Sequence, residues 1–209
     1  MDRELIEQAQ YHASEALALL DRALKPDDGL EPVLTLYSQR DPQWRDVEYV
    51  PGFTFGATGC LVTCVAMIAS YAGYIETPPE IAAKLRGFNC FSGGELLFPE
   101  NIPKAYPKLD WAGRVDWRAG PADLDALFVY VDECPTIIEV DAHPGGTPPP
   151  KDAHFVVAIG YTEDKSDLWI ADPFDGSETL FLERYALSHW DLARAVFGVR
   201  LLRVAQEEK

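Results

Sequence analysis

Basic side chains are scarce in this chain of 209 residues. Lysine and arginine together number 18 against 34 aspartates and glutamates, so the formal net charge is -16 at pH 7. Partners such as nucleic acids, anionic membranes and anionic cell-wall polymers require clustered Lys and Arg on the protein that binds them. The composition therefore argues against those partners and favours a neutral or cationic peptide.

Long apolar runs are missing as well. No segment approaches the ~20 apolar residues that a membrane-spanning helix needs. The start MDRELIEQAQ lacks the apolar core and the small-residue cleavage site of a signal peptide. We therefore expect no membrane span and synthesis in a cytoplasm without a signal peptide. Release by lysis and association with a virion stay open as later locations.

Cysteine is the third scarce residue type, with four in the chain. That number does not indicate a disulfide scaffold. Cys60 and Cys64 have the i,i+4 spacing of a helical chelate, but zinc sites usually combine a C-x₂₋₄-C pair with a second pair elsewhere. Cys90 and Cys134 are isolated, and no His follows them at ligand spacing. We expect no metal and no cofactor, and we interpret Cys64, Cys90 and Cys134 as core thiols.

The pattern of what is present predicts an α+β fold, because helices dominate the first half and strands the second. With 47% hydrophobic residues, the chain can form one well-cored domain. The predicted helices are 2–25, Cys60 to a cap at Gly73, a helix opened by Thr77 and Pro78, 99–106, 120–133 and 184–193. The predicted strands, mostly antiparallel, are 33–39, 109–117, 136–141, 154–161, 168–172, 178–183 and 196–204.

A separate N-terminal helix is predicted over residues 2–25, with Leu and Ala three or four positions apart on one face. Pro26 to Gly29 ends it. We predict two parts, an amphipathic helix with a linker at 1–28 and a domain at 29–209. The Leu and Ala face either docks on that domain or pairs with another chain.

Cys60 follows two glycines and opens an apolar helix in the segment GATGCLVTCVAM. A helix N-terminus carries partial positive charge and unpaired N–H groups, and both favour a thiolate. Unpaired cysteines are also among the most buried residues, so burial is the competing interpretation. Catalysis would require a base, an orienting group and an oxyanion donor elsewhere in the chain.

A base and an orienting group are predicted at one end of a β-hairpin. The strands 154–161 and 168–172 are joined by a hexapeptide rich in turn-forming residues, which places the turn of the hairpin near Asp164. Counting outward, His154 and Asp172 come near each other, where a carboxylate can hold an imidazole in one orientation. Two other carboxylates are alternatives for Asp172, namely Asp152 and Asp175.

An oxyanion donor is predicted at Gln39, about twenty residues before Cys60. Its side-chain amide and the backbone N–H of Cys60 are both suited to bind a developing negative charge. Gln43 is the competing candidate for the same role.

The order of these residues resembles the papain-like cysteine peptidases, and among them the bacteriocin-leader (double-glycine) processing peptidases. The matching segments are YSQRDPQW with Gln39, GATGCLVTCVAM with Cys60, HFVVAIGY with His154 and IADPFDG with Asp172. The resemblance covers about residues 33–204. This chain has Gly-Cys-Leu-Val where many relatives have Gly-Cys-Gly-Pro, and it shows no P-loop of the kind that exporter-linked members carry.

The resemblance implies a helical lobe led by the Cys60 helix, an antiparallel sheet that carries His154 and Asp172, and an active site between them. It implies Cys60 as nucleophile, His154 as general base and then acid, Asp172 as the orienting group and Gln39 as oxyanion donor. It thus implies a cysteine peptidase or amidase, such as a phage or bacterial lytic or processing enzyme that acts on a peptide or on peptidoglycan.

Two other functions stay open from the sequence. One is a catalytically silent peptide-binding or assembly module, and the other is an acyl- or amine-transferase that uses the same triad. Because loops carry specificity, we predict pocket walls from the loops 87–98 and 143–153. The predicted substrate contacts are Gly59, Trp44, Gly93, Gly94 and Ala153.

Overall fold

A six-stranded antiparallel sheet is the largest element of the protein. The structure, a computed structural model, describes residues 33–93, 98–141, 153–185, 187 and 192–205. The predicted helix at 2–25 and the proposed boundary near residue 28 lie outside this part. The strands run in the order β3-β8-β4-β5-β6-β7. They are Leu109–Asp116 (β3), Thr136–Asp141 (β4), Ala153–Tyr161 (β5), Leu168–Asp172 (β6), Ser177–Leu180 (β7) and Val196–Val204 (β8), and a separate hairpin pairs Glu48–Val50 (β1) with Phe53–Thr54 (β2).

Helices cover both faces of this sheet. They are Phe55–Thr58 (α1), Cys60–Tyr71 (α2), Pro78–Gly87 (α3), Ile102–Ala105 (α4) after a 3₁₀ turn at Pro99–Asn101, Leu124–Glu133 (α5), Phe181–Arg184 (α6) and Leu192–Ala195 (α7). The resulting mixture of helices and antiparallel strands confirms the predicted α+β class.

Helix α2 is buried along almost its whole length, because every residue from Val62 to Ser70 is shielded from solvent. A helix that is apolar on all sides has to be enclosed by its neighbours. One core cluster joins α2 to the sheet through residues such as Val65, Ile137 and Val157. This packing holds the first residue of the helix, Cys60, at a fixed place against the sheet.

A second core cluster fills the opposite face of the sheet. There Leu127 of α5 and Phe181 of α6 pack with Ile138 and Val156, all of them at or below 1% exposure. Strands β4 and β5 contribute to both clusters, as central strands with alternating side chains do. The sheet is therefore clamped between two apolar layers, which makes it a rigid support for side chains at its ends.

The hairpin of β5 and β6 has its turn where the sequence predicts it, near Asp164. Val157 is paired with Ala171 and Ala158 with Ile170, and the backbone N–H of Thr162 closes the loop on the carbonyl of Asp167 at 3.0 Å. Since β6 ends at Asp172, this register brings the beginning of β5 and the end of β6 to the same edge of the sheet.

Two helix starts were predicted from capping signals. Thr77 caps α3 as expected: its backbone N–H donates to Glu80 at 2.8 Å in a capping box, and Pro78 takes the first position. The helix predicted from residue 120 begins at Leu124 instead. Asp123 is its cap, because its carboxylate accepts from the N–H of Ala126 at 3.1 Å.

The strand predicted at 33–39 is wrong, because this segment has no partner strand in the described part of the chain. Its backbone N–H groups are bound by other partners. The N–H of Thr35 donates to the hydroxyl of Ser70 at 2.8 Å, and the N–H of Gln39 donates to the carbonyl of Pro173 at 2.6 Å. The strand predicted at 178–183 also ends early, because Phe181 turns into the core to begin α6.

Candidate active site

Cys60 is the first residue of α2 and is partly exposed. The helix continues for 12 residues, so its positive end lies at this thiol. Cys64, one turn further on, is fully buried and its thiol donates to the carbonyl of Phe155 at 3.4 Å. Burial, with smaller effects of Cys60 and Asp172, raises the pKa of Cys64 well above its usual range. The two thiols of one helix thus have different environments, and only Cys60 is accessible.

Gly59 determines how Cys60 is presented. It is the residue between α1 and α2, and its N–H donates to the carbonyl of Phe55 at 2.8 Å. A Cβ at position 59 would lie 2.5 Å from the Phe55 oxygen and 2.7 Å from its Cα. Gly59 is buried, so the structure gives it a packing role that allows two helices to meet directly before the thiol.

Replacing Gly59 with alanine is expected to lower the free energy of unfolding by ~1–3 kcal/mol, because the new methyl overlaps backbone atoms that cannot rotate away. The start of α2 should shift with it and change the reactivity of Cys60. Gly87→Ala is the matched control, since nothing lies within 4 Å of a Cβ there. Urea denaturation of both variants checks the prediction, and equal stability would contradict it.

His154 lies at the beginning of β5 and is hydrogen-bonded to Asp172 at the end of β6. Its Nε2 is 2.8 Å from Oδ1 of Asp172, and the two side chains are only 13% and 1% exposed. Burial by itself would lower the pKa of His154, but hydrogen bonds to Asp172 and Cys60, with the charges of both, raise it to about 9. The imidazole thus interacts with the thiol and the carboxylate at the same time.

Asp172 accepts four hydrogen bonds. Oδ1 accepts from His154 and from the backbone N–H of Phe174 at 2.9 Å, and Oδ2 accepts from Nε of Arg184 at 2.9 Å and the hydroxyl of Tyr185 at 3.0 Å. Burial works to raise the pKa of Asp172, but these donors, with His154 first, lower it to about 2. The carboxylate is therefore ionised at neutral pH despite its burial.

Sequence reasoning missed Arg184 and Tyr185. They reach Asp172 because the chain turns from β7 into α6, a change of direction that the strand-like segment ETLFLE concealed. No signal within this segment indicates that the strand ends early and that the chain turns back toward Asp172. Asp175, an alternative for Asp172, is instead bound to Arg184 at 2.7 Å and is 44% exposed.

Gln39 is buried to 4% exposure and lies against the two loops that carry the other candidate residues. Its side-chain amide donates to the carbonyl of Gly56, just before Cys60, at 3.3 Å, and its backbone N–H donates to Pro173, just after Asp172. Gln43 is exposed to solvent. The geometry therefore favours Gln39 of the two glutamines.

The structure describes the surroundings of some of the predicted substrate contacts, and others lie outside the described residues. Trp44 is 8% exposed and its indole N–H donates to the carbonyl of Ser38 at 2.8 Å, so we interpret it as support for the Gln39 loop. Gly93 is exposed, with a φ of 59°. Gly94 and Asp152 lie outside the described residues, and of Ala153 only the backbone is described, as the first residue of β5.

The model of the Peptidase_C39 like family matches residues 34–192, more than half of the chain. The chain belongs to this family. The match includes Gln39, Cys60, His154 and Asp172, and the Peptidase_C39-like chain has the α+β architecture of papain-like proteins that the sequence predicted.

Among the solved structures that are similar to this Peptidase_C39-like chain is a crystal structure of a C39-like peptidase from Bacillus anthracis. The identity is 16% and the TM-score 0.40, and the match covers 83% of this chain and 98% of that chain. No curated protein matches the chain.

Neither a metal cluster nor a membrane-spanning helix occurs in the described part of this Peptidase_C39-like chain. Within residues 33–93, 98–141, 153–185, 187 and 192–205, no three His, Cys, Asp or Glu side chains come together as metal ligands. No helix in the same ranges has the length and apolarity needed to cross a bilayer.

Proposed function

We propose that this protein is a cysteine peptidase that cleaves a peptide bond through a thioester formed on Cys60. The single observation that carries the proposal is the row of three interacting side chains, in which His154 meets the Cys60 thiol and is 2.8 Å from Asp172. Membership of the Peptidase_C39 like family supports peptide cleavage over other uses of such a row.

The first step is proton transfer from the Cys60 thiol to His154. Because Nε2 of His154 is bound to Asp172, Nδ1 is the nitrogen that remains for the thiol. The raised pKa of His154, about 9, means that the imidazole keeps this proton at neutral pH beside the ionised Asp172. The thiolate then attacks the carbonyl carbon of the scissile bond.

The negative charge that develops on the carbonyl oxygen needs donors. The N-terminus of α2 supplies the backbone N–H of Cys60, and Gln39 supplies an amide N–H. Only one hydrogen of the Gln39 amide is used by Gly56, so among the described residues the second is available. The bond from the Gln39 backbone to Pro173 ties this donor to the loop that follows Asp172.

Collapse of the tetrahedral intermediate completes acylation. His154 donates its proton to the leaving amine, the C–N bond breaks, and the acyl group remains on sulfur as a thioester. Water, deprotonated by His154, then attacks the thioester and releases the acid and the thiol. We propose a peptide substrate, with the peptides of peptidoglycan as one candidate source.

Thiol alkylation tests this assignment without a known substrate. We expect iodoacetamide to label Cys60 at pH 6.5 about 10- to 100-fold faster than a free cysteine, because an ordinary thiol with a pKa near 8.5 is only ~1% ionised there. In His154→Ala the advantage at low pH should disappear. Intact-mass spectrometry with peptide mapping across pH 5 to 9 measures both.

The same experiment contains its own control, because Cys134 is partly buried and burial raises its pKa. Cys60 labelling no faster than Cys134 in the native protein would overturn the proposal.

A screen of peptides and muropeptides, with Cys60→Ala beside the wild type, then identifies the scissile bond, and added amines distinguish hydrolysis from acyl transfer.

A further inference from the structure

Arg184 and Tyr185 contact the triad carboxylate but have no step in the proposed reaction. They bind Oδ2 of Asp172, while His154 and the Phe174 N–H bind Oδ1. A carboxylate offers about four acceptor positions, and all four are filled here. Rotation of Asp172 about its last side-chain bond would break hydrogen bonds on both oxygens.

The segment that presents Arg184 and Tyr185 is itself anchored. The buried side chain of Asp167 accepts from the N–H of Leu182 at 3.0 Å and of Leu168 at 2.7 Å, which ties α6 to the start of β6. Phe181, at 0% exposure, fixes the same turn in the core. The donors to Asp172 therefore approach it from a fixed direction.

Arg184 also brings a permanent positive charge to Asp172, whereas the charge of His154 changes as the imidazole gains and loses its proton. Its Nε binds Asp172, its Nη2 binds Asp175 at 2.7 Å, and its guanidinium lies 5.8 Å from the ring of Phe174. Its side chain is 27% exposed, so solvent screens the charge only in part. The positive charge thus lies on the side of Asp172 opposite His154.

Charged and titratable groups surround His154 and Asp172 from three sides. Cys60 and Cys64 belong to α2, Asp175 follows β6, and Arg184 and Tyr185 come from the end of α6. Burial, followed by the charge of Asp172, raises the pKa of Tyr185, so its hydroxyl stays a neutral donor. Arg184 is then the permanent cation of this set.

We propose that Arg184 and Tyr185 are positioning residues, which hold the Asp172 carboxylate toward His154 and, through the charge of Arg184, limit how strongly Asp172 retains the imidazole proton. The proposal rests on the proposed function, because it assigns the two residues to that reaction. An imidazole that holds its proton too firmly is a poor donor to the leaving amine. Arg184 thus adjusts His154 through Asp172 without contacting substrate.

A direct measurement of the His154 pKa tests this without any substrate. Protein labelled at histidine is titrated by NMR in the Cys60→Ala background, so that the thiol does not contribute, and the His154 signal is identified by its loss in His154→Ala. Removing the cation in Arg184→Gln should raise the pKa of His154 by ~0.5 to 1 unit, because a partly screened unit charge acts across the carboxylate. Arg184→Lys keeps the charge and should stay within about 0.3 unit of the parent.

Two further variants make the test specific. Arg203→Gln is the matched control, since Arg203 is similarly exposed, at 33%, and pairs with Glu133 rather than with Asp172. Asp175→Asn removes a negative charge beside Arg184 and should move the pKa of His154 the other way, downward. Asp175 is 44% exposed, so this variant still tests the charge coupling if Arg184→Gln fails to fold.

An unchanged or lowered pKa of His154 in folded Arg184→Gln would overturn the proposal, as would a raised pKa in Asp175→Asn. These outcomes do not depend on catalysis, so they are distinct from failure of the proposed peptidase activity, which the alkylation of Cys60 reports. Once a substrate is known, Arg184→Gln should also lower kcat with little change in KM and move the alkaline limb of the rate profile upward.

Discussion

Replacing Cys60 with alanine is expected to reduce peptide cleavage by at least about 10⁴-fold. Loss of a nucleophile removes the covalent route entirely, and the activity that remains in such variants comes from binding and from the oxyanion donors alone. The fold should be retained, because Cys60 is partly exposed and its packing against the sheet depends on the buried residues that follow it. The measurement is kcat/KM on the peptide identified by the substrate screen.

Cys134→Ala is the control for this prediction. Cys134 follows α5 and is also partly buried, but it has no contact with His154 or Asp172 among the described residues. Its replacement should leave kcat/KM within about 3-fold, as for substitutions away from a site. Residual cleavage by Cys60→Ala near the wild-type rate would mean that another group attacks the substrate, and the thioester mechanism would fail.

The hairpin that joins His154 to Asp172 could be predicted from the sequence because both strands are short and apolar and the turn between them is rich in turn-forming residues. Counting outward from Asp164 then requires no tertiary information. The capping box of Thr77 and Glu80 was predictable for the same reason, since it is complete within four residues. Signals of this kind are complete within neighbouring residues, so they can be read without knowledge of the tertiary contacts.

Contacts that depend on how distant segments meet could not be predicted. The segment 33–39 has the alternation of a strand, but its backbone partners are Ser70 and Pro173, which lie far away in sequence. Arg184 and Tyr185 reach Asp172 only because β7 ends at Leu180, and Trp44 is buried by the same loop that places Gln39. The hydrophobic pattern indicates which face of a segment is apolar, but it does not indicate which distant segment packs against that face.

Asp172 is expected to act in two separable ways, through its orientation of His154 and through its charge. Asp172→Asn keeps an oxygen that can accept from Nε2 of His154, so it preserves orientation, as in triads of the Cys-His-Asn type. We expect kcat/KM to fall by only about 10-fold, with the alkaline limb of the rate profile at least about one pH unit lower because the nearby negative charge is gone.

Asp172→Ala should be more severe, because it removes orientation as well as charge and leaves Arg184 and Tyr185 without their acceptor. We expect kcat/KM to fall by about 10² to 10³-fold and the free energy of unfolding to fall by roughly 3 kcal/mol, as for a buried pair that loses one partner. The stability contributed by the Asp172 charge is present above its unfolded pKa of about 4 and is lost as pH falls through its folded pKa of about 2. Wild type and Asp172→Ala should therefore differ most in urea denaturation at neutral pH and converge toward pH 2. Equal rates for Asp172→Asn and Asp172→Ala would mean that the charge of Asp172 matters and its orientation of His154 does not.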